Sequence, residues 1–268
     1  MEKIEIKNKK LFLFDMDGTL YLGNHIFDFT NELLSTIKNS GGRYLFMTNN
    51  SSKSVADYIK KLKNLGIDAS YEDFITSSQA TAFYLKKHYR NCRLYVCGTK
   101  SLKEELVSNG FTVTEDLSEV QCVVMGFDTE LTFKKLEDVC KLLLKNPDMP
   151  YIATNPDYVC PTEYGSVPDC GSVCDMIFNA TSRRPFVIGK PNAMMPLLAL
   201  EMTGYKKHEA AVIGDRIYTD VKSGLNAGIT AILVMSGETT YEILEQSEDK
   251  PDLVLKDCSE ITAVIKEA

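Results

Sequence analysis

The sequence predicts an α/β fold built on parallel sheet, with one core domain interrupted by a second, inserted domain. Short apolar runs alternate with amphipathic stretches nearly throughout the chain, the rhythm of strands joined by crossover helices. Several runs, Leu11–Phe14 among them, are apolar without a break, as in strands covered on both faces. At 268 residues the chain can form one large or two modest domains whose cores need no covalent staples. A separate strand–helix rhythm occupies the middle of the chain. Residues 1–80 with 184–268 therefore read as the core, and 81–183 as the insertion.

Each element follows from its own residues. Leu11–Phe14 is a buried strand. Residues 28–39 form a helix ended by Gly41 and Gly42. Residues 44–47 are a second strand that runs into Thr48-Asn49-Asn50-Ser51-Ser52, and an amphipathic helix over 53–65 stops at Gly66, a helix C-cap. In the insertion, 93–97 and 121–126 are strands, 132–145 is a helix and 151–154 a further short strand. From 154 to 170 the chain is rich in Asn, Pro, Asp, Tyr and Gly without periodicity and reads as a loop. Loops of that length inside compact domains are usually functional. Residues 186–189, 210–214 and 230–234 then resume the core strands, with helices between them.

Composition narrows the function. Hydrophobic and charged contents of 44% and 25% are those of an ordinary globular protein, and the polar N-terminus has no apolar run of signal-peptide type behind it. The apolar stretches are too short to cross a bilayer, so the expectation is a cytoplasmic protein without a membrane partner. A net charge of −7 and the lack of long basic blocks argue against nucleic acid as a partner. The eight cysteines read as reduced thiols, several of them core residues in apolar runs. Cys160, Cys170 and Cys174 imitate three zinc ligands, but no C-x-x-C pair or nearby histidine completes the set.

The chemistry concentrates where strands end, because active sites of parallel sheets lie beyond the strands' carboxyl ends. Asp15 and Asp17 follow the first strand two residues apart, and in extended backbone such positions face the same side. Clustered acids there suggest a metal and one acid acting as nucleophile. Thr48, Asn49 and Asn50 bring a hydroxyl, amides and backbone N–H groups to a helix start, an anion cradle or an ordinary N-cap. Lys190 follows a strand and can neutralise phosphate or hold a carboxylate. The Gly189–Lys190 pair is not part of a Walker loop. Asp215 ends a buried run, and Asp220 falls in the first turns of the next helix. Asp15, Asp17 and Asp215, meeting across one sheet edge, suit a hard octahedral cation, with Mg²⁺ the natural choice.

Taken in order, Asp15-Met16-Asp17-Gly18-Thr19-Leu20-Tyr21, Thr48-Asn49-Asn50, Gly126-Phe127-Asp128, Ala153-Thr154-Asn155-Pro156-Asp157, Gly189-Lys190-Pro191 and the stretch Gly214 to Asp220 resemble the haloacid dehalogenase superfamily. The resemblance is to its class IIA phosphatases (the NagD-like, p-nitrophenylphosphatase-like branch) and covers nearly the whole chain. It implies a Rossmann-like core with a large α/β cap, and Mg²⁺-dependent hydrolysis of small phosphomonoesters such as sugar phosphates or nucleotides. It makes Asp15 the nucleophile that forms an aspartyl-phosphate and Asp17 the general acid and base. Thr48, Asn49 and Lys190 would hold the phosphoryl group. Asp15, the Asp17 carbonyl and Asp215 would ligate the metal, with Asp220 orienting Lys190 or a metal-bound water. The partner implied is a small phosphorylated metabolite. A homodimer through the cap is in keeping with the family, though no residue pattern specifies it.

Two readings compete with it. A non-catalytic phosphoacceptor module shares the sheet and acid triad but lacks the cap and the acid at Asp17. A dinucleotide-binding dehydrogenase needs G-x-G-x-x-G where residues 15–20 place acids. Residues 155–170 would form the roof of the site. Asp157, Tyr158, Glu163 and Tyr164 are its candidate substrate contacts, or else they stabilise the loop. Acidic side chains there disfavour a second anionic group on the substrate.

Overall fold

The computed structural model describes residues 6–162 and 164–267, so Glu163 lies outside the described residues. The chain divides into two compact units. The first comprises Met1–Thr48, Val55–Ile75 and Lys190–Ala268, the second Asn49–Ser54 and Thr76–Gly189.

The first unit is organised by a six-stranded sheet in the order Leu253–Leu255, Thr230–Val234, Ala210–Gly214, Leu11–Phe14, Arg43–Thr48 and Phe74–Thr76. The Leu11–Phe14 strand is central and pairs in parallel with both neighbours, Phe14 standing opposite Ile213 on one side and Phe46 on the other. All four of its residues are buried, which explains the unbroken apolar run. Alternate residues Phe12, Phe14, Tyr44, Phe46, Ala211 and Ile213 share one core cluster. Leu33 and Ile37 from the Thr30–Asn39 helix, Tyr58 and Leu62 from Val55–Asn64, and Ile261 from Ser259–Lys266 complete it. The opposite face is covered in part by Ile217 and Val221 against Ala231 and Leu233.

The second unit holds a five-stranded parallel sheet in the order Phe186–Val187, Tyr151–Ala153, Cys122–Met125, Arg93–Cys97 and Thr112–Val113. Val139, Leu142, Val173 and Ile177, from the helices Phe133–Lys145 and Cys170–Thr181, pack on Tyr95, Val123, Met125 and Tyr151. Each helix starts at a side-chain cap, Thr132 accepting from Lys135 N–H and Asp169 from Cys170 N–H.

Two segments differ from the sequence expectation. Phe186–Val187 belongs to the second sheet, opposite Ile152 and Ala153, and the chain rejoins the first unit only at Lys190. A two-residue edge strand looks the same whichever sheet it joins. The stretch read as an irregular loop contains an antiparallel hairpin, Val159–Thr162 against Gly165–Pro168. Its strands carry Pro161 and Pro168 and lie at the surface, so no apolar alternation announces them. Proline is tolerated because a lone hairpin consists of two edge strands.

Phe46 is fully buried, with Tyr44 and Phe74 each 5.3 Å away between ring centroids. Truncation of Phe46 to Ala leaves a cavity at the sheet centre and should cost about 3–5 kcal/mol. Urea unfolding curves of the two proteins measure this directly, and a loss below about 1 kcal/mol would contradict the packing described.

Candidate active site

Because the parallel ladders end in register, three connections leave the first sheet at one edge, after Phe14, Thr48 and Gly214. Asp15 N–H still donates to Ile213 O at 2.8 Å, extending the ladder by one step. Asp15, Asp215 and Asp220 meet at this edge, each offering an oxygen within 4.8 Å of the others. The strand end brings Asp15 and Asp215. A π-helical turn over Ile217–Val221 brings Asp220 back, with Asp220 Oδ2 accepting from Arg216 N–H at 3.1 Å. Such turns are rare and concentrate at functional sites.

Lys190 supplies the counter-charge. Its ammonium is buried and donates to Asp15 Oδ1 at 2.6 Å, Asp220 Oδ1 at 2.6 Å and Met47 O at 3.2 Å, giving each of three protons an acceptor. Burial alone would push the Lys190 pKa down, but Asp15 and Asp220 outweigh it and hold it above the usual lysine value. Burial, reinforced by Asp15 and Asp220, raises Asp215 to about 7. Burial also raises Asp220, to about 6, against the opposing pull of Lys190.

The acids are seated by contacts that leave no room for a Cβ. Asp215 Oδ2 accepts from Glu238 N–H at 2.7 Å, and Thr19 Oγ1 reaches Oδ1 at 3.4 Å. A Cβ on Gly237 would stand 2.0 Å from Asp215 Oδ2, one on Gly18 2.4 Å from it, and one on Gly214 2.3 Å from Asp220 Cβ. Gly18 also needs its glycine for a φ of +88°. Thr19 stood in the first sequence motif without a role of its own, and Gly237 and Glu238 were not singled out in the sequence; the one signal for those two is a Ser-Gly pair just past the Thr230–Val234 strand.

Asp17 does not join the three-acid group. Regular strand ends at Phe14, so the same-side argument for Asp15 and Asp17 does not extend that far. Asp17 forms an isolated bridge with Tyr21; its Oδ1 accepts from Gly23 N–H at 3.2 Å, and its Oδ2 lies 3.8 Å from Lys61 Nζ. Its side chain is half exposed and lies outside the three-acid group. Lys61 also covers the Tyr21 ring, 4.3 Å from its centroid. Thr48 is buried at the end of its strand.

Asn49, Asn50, Asp157 and Tyr158 belong to the second unit. Asn49 Nδ2 donates to Asp157 Oδ2 at 2.9 Å, and so does Asn155 Nδ2. Asn50 Oδ1 turns back to accept from Ser52 N–H and Oγ–H, shaping its own loop. Tyr158 and Tyr164 are exposed, and the Tyr158 carbonyl accepts from Asp169 N–H.

The first-unit site suits a divalent cation. Three carboxylates face one ammonium, which leaves two negative charges to be matched, while Arg216 pairs with Glu238 at 2.8 Å. Oxygen donors of this kind favour a hard ion.

A carboxylate cluster with a buried lysine at the edge of a parallel sheet, in an α/β chain of two units, fits a phosphoric monoester hydrolase. The comparisons agree. A family model described as haloacid dehalogenase-like hydrolase matches residues 12–112, and a related HAD-hydrolase-like model matches 187–261. An acid sugar phosphatase of Staphylococcus haemolyticus is 34% identical over 94% of this chain and 95% of its own length. The crystal structure of a 4-nitrophenylphosphatase from Thermotoga maritima superposes with a TM-score of 0.92 at 41% identity, covering 97% of this chain and 99% of that one. A glycerol phosphate phosphatase from Mycobacterium tuberculosis, solved with calcium, has a TM-score of 0.89 at 27% identity, over 96% of this chain and 76% of that one. The chain belongs to the haloacid dehalogenase-like hydrolases, in their class IIA phosphatase branch. Membership sets aside the phosphoacceptor-module reading. No helix among the described residues is long and apolar enough to cross a membrane.

Two predictions follow from the charges. In the unfolded chain Asp215 and Asp220 ionise near the ordinary 3.8, whereas the folded, metal-free protein holds their protons to about 7 and about 6. Their raised values stabilise the fold at low pH, and that contribution disappears as pH rises through the folded values. The gain in Tm on adding a divalent cation should therefore grow between about pH 5 and about pH 8. Melting curves with cation or EDTA across that range check it, and a flat gain would count against it. Lys190→Met removes the shared counter-ion and should destabilise the fold by about 3–5 kcal/mol. Turnover should fall by roughly a hundredfold or more. Urea unfolding and phosphate-release rates report the two losses separately.

Proposed function

We propose that the protein hydrolyses small phosphomonoesters, sugar phosphates foremost, with Mg²⁺ as its metal and Asp15 as the carrier of the phosphoryl group. One observation carries the assignment. Of the three clustered acids only Asp15 is partly open to solvent, at 16% of its side chain, while Asp215 and Asp220 are buried. A substrate can reach Asp15 alone, and Lys190 holds one of its oxygens, so the other attacks phosphorus.

In the first half-reaction the Asp15 oxygen bonds to phosphorus as the bond to the leaving oxygen breaks, and Asp17 delivers its proton to that oxygen. In the second, Asp17, now a carboxylate, takes a proton from water as the water oxygen attacks phosphorus and frees Asp15. The half-exposed position of Asp17 supports this role, because the leaving group arrives from solvent. Thr48 and Asn49 receive the phosphoryl oxygens, Lys190 offsets their charge from beside Asp15, and Asp220 keeps Lys190 in place. Asp15, the Asp17 carbonyl and Asp215 would hold Mg²⁺, which would neutralise charge on the phosphoryl group when bound.

The second unit is proposed as the cap that selects substrate. Asp157 and Asp169 place negative charge near Asn49 and disfavour a second anionic group on the substrate. The names of the staphylococcal relatives support a sugar phosphate.

Phosphate release from p-nitrophenyl phosphate with Mg²⁺ or EDTA, for wild type and Asp15→Asn, tests the reading. Metal-dependent turnover should fall by roughly three orders of magnitude or more in the mutant. Full activity in Asp15→Asn, or in EDTA, would overturn it.

A further inference from the structure

We propose that Asn155 is a positioning residue for Asn49, acting through Asp157 at the end of a directional chain of hydrogen bonds that starts at Phe127. The inference rests on the reading that Asn49 receives the phosphoryl group.

The strands of the second sheet end in register, Cys97 opposite Met125 and Met125 opposite Ala153. The crevice beyond such an edge is the usual ligand site of a parallel sheet. Here the chain's own residues 49–52 occupy it. Thr99 Oγ1 donates to Ser52 O at 3.2 Å, Phe127 N–H to Ser51 Oγ at 2.9 Å, and Ser77 Oγ to Asn49 O at 2.6 Å. The fit is close beyond two strand ends. A Cβ on Gly126 would stand 2.9 Å from Ser51 Oγ, and one on Gly189 2.6 Å from Asn49 Oδ1.

The proton directions can be assigned by elimination. Thr154 Oγ1 gives its single proton to Asn155 Oδ1 at 2.8 Å, so in the 2.9 Å contact between Ser51 Oγ and Thr154 Oγ1 the serine must donate. Asn155 Oδ1 is thus engaged by a hydroxyl, and its amide is turned with Nδ2 towards the acids. Nδ2 donates to Asp157 Oδ2 at 2.9 Å and to Asp169 Oδ1 at 3.0 Å. Asp157 Oδ2 in turn accepts from Asn49 Nδ2, which turns the Asn49 amide the same way. Thr154, Asn155 and Ser51 are fully buried, so water does not compete for these bonds. A flip of Asn155 would set its carbonyl against two carboxylates, and Asn49 would lose the acceptor that aims it.

The decisive measurement is a double-mutant cycle read as inhibition by inorganic phosphate together with kcat/KM for p-nitrophenyl phosphate. Asn155→Ala should weaken phosphate inhibition and lower kcat/KM by roughly ten- to a hundredfold. In an Asn49→Ala background the same change should have almost no further effect, because the residue it positions is gone. A merely structural role would give equal losses in both backgrounds, and that result would overturn the proposal, as would unchanged phosphate inhibition in Asn155→Ala. If Asn155→Ala does not fold, Asp157→Ala enters the same cycle, with the same non-additivity expected and additivity again decisive against it. Asn155→Asp adds a pH readout. It sets a third carboxylate beside Asp157 and Asp169, so its activity relative to wild type should recover as pH falls. Wild-type turnover that persists in Asp15→Asn would instead remove the underlying functional reading.

Discussion

The first unit depends on one buried cation. A lysine ammonium with almost no access to water must find acceptors for all its protons or lose its charge. Lys190 finds them on Asp15, Asp220 and the carbonyl of Met47, three segments that are remote in sequence. Satisfying that one group fixes the end of the first strand, the end of the second and the π-helical turn after Gly214 relative to one another. Buried ion clusters are seldom a net source of stability, since apolar residues of similar volume often do as well. Their presence at a sheet edge therefore points to chemistry. A fixed positive charge beside the attacking oxygen, with two further acids behind it, is an arrangement suited to the transfer of a phosphoryl group.

Steric limits do the rest of the seating. Asp215 is approached from both sides by backbone, at Gly18 and Gly237, and Asp220 lies against Gly214. Any side chain at these positions would displace a carboxylate by more than the tolerance of an electrostatic site. The wider π-helical turn returns Asp220 to the strand end, where Arg216 N–H caps its second oxygen. The same backbone that forms the turn thus supplies the hydrogen bond that orients the acid.

The second unit answers a different demand. Its sheet edge has the geometry that commonly takes a ligand, yet residues 49–52 fill it, accepting from the Thr99 hydroxyl and Phe127 N–H and donating to Thr154 Oγ1 and Asp157 Oδ2. Asp128 shows the same economy at the neighbouring strand ends, accepting from Lys135, which also donates to Gly98 O and Glu130 O. Asp128 and Lys135 are thus satisfied partners that hold their loops in shape.

Much of the fold was legible because buried parallel strands leave unbroken apolar runs, and Asp15 and Asp215 were legible because each directly follows one. Lys190 was visible as a strand-end lysine with two candidate duties, and the structure gives it the carboxylate. The hairpin at 159–168 was hidden because exposed, proline-bearing edge strands carry no alternation, and Phe186–Val187 was assigned to the wrong sheet because two apolar residues do not name a partner. The direction of the Asp17 carboxylate and the seating by Thr19, Gly237 and Glu238 were likewise invisible. By itself, then, the sequence determined which segments are strands and which acids end them, since both are properties of neighbouring residues. Only the tertiary structure decided which acids share a charge, where each amide points and which sheet a short strand joins. Those outcomes depend on hydrogen-bond acceptors and steric limits supplied by residues far away in the chain.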